Sequence, residues 1–122
     1  MAFQVEETRT TPYVLIDEGQ ITIKGRSIPE DAFEFFEAVV DACKKYIEKP
    51  VIQTNVNIHL EYVNSGSKKY LTNILTLLEK SYLDGNGYDI TWTYDSDDEA
   101  MFDLGNDLRE IVNIPITIKV SE

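Results

Sequence analysis

Three segments of this chain switch between apolar and polar at every residue. Val56, Ile58, Leu60 and Tyr62 alternate with Asn55, Asn57, His59 and Glu61. Tyr88, Ile90, Trp92 and Tyr94 alternate with Asp89, Thr91, Thr93 and Asp95, and Ile114, Ile116, Ile118 and Val120 alternate with Pro115, Thr117 and Lys119. A period of two is the signature of a strand with one dry face and one wet face. A sheet covered by helices on both sides would instead carry nearly continuous apolar strands. The chain must therefore stack its helices on one face of a sheet and leave the other open, as a two-layer sandwich.

The segments between these strands have helical rhythm. Residues 1–12 read as a polar lead-in closed by Pro12, followed by a hairpin of Tyr13–Asp17, a Glu18-Gly19 turn and Gln20–Lys24. Ser27 and Glu30 form a capping box with Pro29 in the first turn, opening a helix with Phe33, Phe36, Val40, Cys43 and Ile47 on one stripe. A strand over Val51–Tyr62 and the polar loop Asn64-Ser65-Gly66-Ser67 lead to a second helix, striped by Leu71, Ile74, Leu75, Leu78 and Tyr82 and ended by Gly85-Asn86-Gly87. Tyr88–Asp95 is a strand. A third helix runs from Asp97 to about Glu110, with Met101, Leu104, Leu108 and Ile111 aligned, and Ile114–Val120 closes the chain as a strand. The order is β-β-α-β-α-β-α-β, an α/β domain with a mixed sheet: antiparallel in the hairpin, parallel wherever a helix crosses over.

A length of 122 residues, with 43% hydrophobic and 27% charged, fits one domain over 1–122 with an ordinary core and no need of a disulfide or metal staple. The longest apolar run, Tyr13–Ile16, is far short of a membrane span, and the start has no signal-peptide pattern, so a soluble cytoplasmic protein is expected. Twenty-two acids against 11 bases leave a net charge of −11. Such a field repels phosphate backbones and anionic membranes, which excludes general nucleic-acid binding.

Catalytic vocabulary is sparse. The single histidine, His59, lies mid-strand on the wet face, and the single cysteine, Cys43, lies on the buried stripe of the first helix. Asp95-Ser96-Asp97-Asp98-Glu99 resembles the start of a calcium loop but has Ala100 where that loop needs glycine and Asn106 where it needs glutamate. These acids suit the first turn of a helix, whose N-terminal dipole favours negative charge, and Asp95 and Asp97 could also meet magnesium or a basic partner weakly. No GxxxxGK[ST], GxGxxG or HExxH pattern occurs. No catalytic residue, metal site or cofactor is expected.

Asn64-Ser65-Gly66-Ser67-Lys68-Lys69 is different, because it joins the C-terminal end of a parallel strand to a helix N-terminus, where open α/β sheets place their sites. Asn and Ser are preferred N-caps, and the same amide groups and dipole favour an anion, so a hydroxyl here also suits the role of phosphate acceptor. A hydrolase or a small-ligand module built on Ser65 or Ser67 is the alternative. For a hydrolase, His59 is the one histidine available as a base, and in an extended strand it stands about 20 Å from Ser65.

Topology and turn together resemble the STAS domains of anti-sigma-factor antagonists and, more closely, the SiaC family of bacterial regulatory phosphoproteins. The matching pieces are Thr11-Pro12, the run from Gly25 to Asp31, Leu60-Glu61-Tyr62-Val63-Asn64-Ser65-Gly66-Ser67, and the stretch from Trp92 through Asp97-Asp98-Glu99-Ala100-Met101 to Gly105. The family usually has threonine at the place of Ser65 and serine at the place of Gly66. The resemblance implies a non-catalytic STAS-like adaptor, phosphorylated at Ser65 with Ser67 as a second acceptor, and docking through Tyr62, Asn64, Ser65, Gly66, Ser67 and Lys68. It further implies a protein kinase, a PP2C-type phosphatase and an effector such as a diguanylate cyclase as partners.

Overall fold

The computed structural model describes residues 2–121. The elements are β1 (Phe3–Val5), β2 (Tyr13–Asp17), β3 (Gln20–Ser27), α1 (Ala32–Glu48), β4 (Gln53–Val63), α2 (Ser65–Leu83), β5 (Gly87–Tyr94), α3 (Glu99–Ile111) and β6 (Ile116–Val120). The six strands form one sheet in sequential order, antiparallel from β1 to β3 and parallel from β3 to β6. Crossovers of one hand that always step in the same direction put every helix on the same side. The open face then carries the polar half of β3, β4, β5 and β6, with Tyr13 and Leu15 of β2 beside Lys24 and Thr22. Asn55 lies beside Asp89, Asn57 beside Thr91 and His59 beside Thr93, with Asn55 and Asn57 exposed.

The dry face and the helices share one core, centred on Ile21, Ile23, Phe36, Val56, Ile58, Leu71, Ile74, Leu78, Ile90 and Trp92. Two devices fix the helix layer. Trp92 Nε1 donates to the Met101 carbonyl at 2.9 Å, and Gly105 lets α3 lie on the indole, since a Cβ there would stand 2.6 Å from Trp92 Cδ1. Cys43 is buried in the same core, and desolvation pushes its thiol up to about 12, so it remains a neutral apolar filler.

Five expectations need correction. The lead-in contains a strand, β1, because Phe3 and Val5 pair with Ile16 and Val14 of β2. Ser27 does not cap α1. The strand runs on to Ser27, and Asp31 is the cap, its Oδ1 accepting from Glu34 N at 3.1 Å. Phe33 is 59% exposed, and the buried stripe of α1 starts only at Phe36. The third helix starts at Glu99 with Asp98 as its cap, so Asp95 and Asp97 stand before it, and Ile111 at its end is exposed. Tyr62 is also exposed rather than on the dry stripe. Gly25 pairs with Leu60 but Ser27 pairs with Val63, so β4 has one extra residue there. A bulge of this kind shifts the alternation by one and turns Tyr62 outward.

Candidate functional site

Because β3, β4 and β5 are parallel, their C-terminal ends meet at one end of the molecule, and the turn Asn64–Ser67 lies there. Asn64 ties it together. Its backbone N–H donates to the Ser27 carbonyl at 3.0 Å and its Nδ2 to the Pro29 carbonyl at 3.0 Å, while its Oδ1 accepts from Ser67 N at 3.0 Å. The cap of α2 is thus also the clasp that holds the loop between β3 and α1.

The two serines of the turn face opposite ways. Ser65 is the first residue of α2 and is exposed. Ser67 is fully buried, and its Oγ accepts from Ser27 Oγ at 2.8 Å. The expected second acceptor is therefore sealed in the folded protein, since an enzyme would have to unwind the first turn of α2 to reach it. Gly66 sits where the turn crosses α1, and a Cβ at that position would stand 2.9 Å from Ala32 Cβ. Lys68 and Lys69 are exposed on the following residues, near the positive end of the helix dipole.

Beside the turn lies a groove of about 620 Å³ between the end of β4 and the start of α3. Ile28, Val63 and Met101 give it apolar walls, and Glu61, Asp95 and Asp97 bring carboxylates to it. Tyr62 is 57% exposed there. Arg26 lies over that ring at 5.7 Å from its centroid, with its Nε 4.0 Å from Glu61. Of the groove residues, the sequence points to Tyr62 and Asn64 for docking and to Asp95 and Asp97 for a weak basic contact. It does not point to Ile28, Glu61, Val63 or Met101 for either. The apolar–acid sequence at the two strand ends is the signal that could have found them.

The remaining candidates lie elsewhere. His59 Nδ1 is 2.7 Å from Thr93 Oγ1 and its Nε2 is 3.4 Å from Asp95 Oδ1, so its ring is held on the open face by β5 rather than by Ser65. Asp98 Oδ1 is taken by Met101 N at 3.1 Å as the cap of α3. Among the described residues no group of three or more His, Cys, Asp or Glu is placed to hold a metal ion. No helix of the described residues is long and apolar enough to cross a membrane. A second cavity of about 710 Å³ lies between β1, β2 and α1, around Phe3, Ile16 and Tyr46, and away from the turn.

Comparison with known proteins agrees with this geometry. An uncharacterised protein of Pseudomonas aeruginosa (strain UCBPP-PA14) is 28% identical over 117 residues, 94% of this chain and 93% of that one. The solved structure of the diguanylate cyclase SiaD in complex with its activator SiaC, from Pseudomonas aeruginosa, contains a chain 27% identical with a TM-score of 0.89, covering 98% of this chain and 99% of that one. SiaC of Pseudomonas aeruginosa, also solved, is 26% identical with a TM-score of 0.89 over 99% of both chains. The model of the SiaC family regulatory phosphoproteins matches residues 5–121, and the chain belongs to that family.

Proposed function

We propose that this chain is a non-catalytic partner-switching protein. Its unphosphorylated form docks on a diguanylate cyclase through the sheet end around Ser65, and phosphorylation of Ser65 ends the docking. A protein kinase adds the phosphate and a PP2C-type phosphatase removes it. The observation that carries this reading is the exposure of Ser65 at the first residue of α2, while Ser67 two residues on is sealed. Ile28, Phe33 and Tyr62 are exposed on the segments that end or begin at the same end of the sheet, which suits docking. A hydrolase would need a base at Ser65, and the one histidine is engaged by Thr93 and Asp95.

The signs of the two effects differ. A phosphate of about −1.5 to −2 charge at a helix N-terminus meets the favourable end of the dipole, so the isolated fold tolerates it. A partner that covers the turn must strip water from the dianion, and an imperfectly paired buried charge costs several kcal/mol. Each ~1.4 kcal/mol is a tenfold loss of affinity. The test is to install phosphoserine at position 65 during translation and titrate a cognate diguanylate cyclase with both forms. The expected result is a loss of at least ~100-fold in affinity with a melting temperature moved by only a few degrees, and Ser65→Ala binding as the unmodified protein does. Equal affinity of the two forms would overturn the reading.

A further inference from the structure

We infer that the groove beside the Ser65 turn seats a segment of the effector that carries an arginine next to an apolar side chain. This rests on the docking reading above and adds the chemistry of what docks. Four carboxylates, those of Glu61, Asp95, Asp97 and Asp98, line the groove, and no lysine or arginine does. Asp98 is used as a helix cap and Asp95 faces His59 Nε2 at 3.4 Å, which leaves Glu61, met only loosely by Arg26, and Asp97 at the rim of a cleft whose walls are apolar. At about 620 Å³ the groove falls within the size range of side-chain and ligand sites. A segment with only apolar residues would leave those carboxylates stripped of water and unpaired, and one with only basic residues would leave Ile28 and Tyr62 uncovered.

The molecule's own Arg26 supports arginine over lysine. It approaches the groove from β3, 5.7 Å above the Tyr62 ring, yet its Nε is no closer than 4.0 Å to Glu61, and both side chains are close to half exposed. So open a pair contributes little and is readily displaced or shared. A planar guanidinium from a partner can stack on the ring and fork a carboxylate at once, which a lysine ammonium cannot. A phosphate on Ser65 has the same sign as the groove. It therefore acts against docking through bulk and desolvation at the covered turn, not by repelling the segment.

The test uses the full chain and short fluorescein-labelled peptides that alternate leucine with arginine, with lysine or with glutamate. Anisotropy is followed against Glu61→Gln/Asp95→Asn/Asp97→Asn and against Glu37→Gln/Glu48→Gln/Glu110→Gln, which removes equal charge from the helices. Binding of the arginine peptide, weaker binding of the lysine peptide, and a loss of at least tenfold in the groove variant alone are expected. Equal losses in both variants, equal arginine and lysine affinities, or no binding by the unaltered chain would overturn the inference. Titration of the cyclase separates this inference from the switch. If the groove variant binds the cyclase unchanged while phosphoserine at position 65 abolishes binding, the groove assignment fails and the switch stands. If the groove variant loses the cyclase while phosphoserine has no effect, the switch fails and the groove stands.

Discussion

Removing the side chain of Asn64 tests whether one residue holds both the helix and the loop of the site. Its Oδ1 caps α2 through Ser67 N, and loss of such a cap costs about 1 kcal/mol, within a range of about 0.5–2. Its Nδ2 satisfies the Pro29 carbonyl across 35 positions of sequence, and a half-buried hydrogen bond of this kind contributes about 1 kcal/mol more. Asn64→Ala should therefore destabilise the fold by about 2 kcal/mol, which for a domain of this size lowers the melting temperature by roughly 8 °C. Asn64→Asp keeps the acceptor and adds a favourable charge at the helix N-terminus but loses the donor to Pro29, so it should cost about half as much. Urea unfolding can be followed by Trp92, the sole tryptophan and 1% exposed, provided the slope against denaturant is unchanged. Asn64→Ala within about 0.5 kcal/mol of the original, or Asn64→Asp as damaging as Asn64→Ala, would refute the clasp.

Two further outcomes follow from packing. Gly66→Ala, which in an open helix would gain about 1 kcal/mol, should lose about 1–2 kcal/mol here because the new methyl meets Ala32, and Ala32→Gly in the same chain should recover part of it; urea unfolding decides the sign. Cys43→Ala should cost about 1–2 kcal/mol at neutral pH. The unfolded thiol ionises near 9.0 and the folded one not until about 12, so this thiol's stabilising contribution is complete below pH 9 and is lost as pH rises through that window, by at most ~1.4 kcal/mol per pH unit. The gap between the original and the alanine protein should narrow accordingly in unfolding curves measured above pH 9. Tyr88, whose phenol burial also raises, is present in both proteins; the part of its shift due to burial cancels, and the smaller part due to the Cys43 charge adds to the effect of the thiol.

Periodicity was enough for the layers and weak at their ends. Alternation in β4, β5 and β6 depends on which face is buried, a property of every residue, so it is legible from composition along the strand. β1 is three residues with no pattern of its own, and only pairing with Val14 and Ile16 makes it a strand. Ser27 followed by Glu30 matches a capping box, yet Asp31 caps just as well. What decided between them was the bond that draws Ser27 Oγ to Ser67, 40 residues away. The bulge opposite Arg26 is likewise a matter of pairing between β3 and β4, and neither strand announces it alone.

The Asn64–Ser67 turn was legible as a place and half legible in its parts. Helix phase would have separated its serines. Ser67 precedes Leu71 by four, Ile74 by seven, Leu75 by eight and Leu78 by eleven, all four of them buried, and so lies on the buried stripe of α2. At 3.6 residues per turn, Ser65 stands about 200° away, pointing to solvent. The polar character of serine hides this, because a hydroxyl on an apolar stripe looks like part of the loop before it. Burial becomes tolerable only because Ser27 Oγ supplies the partner, so the outward role of Ser65 depends on an inward bond made by its neighbour. The same bond ties the first turn of α2 to the end of β3. The exposed hydroxyl is thereby held at a fixed point on the sheet end, between the loop that carries Ile28 and the strand that carries Tyr62.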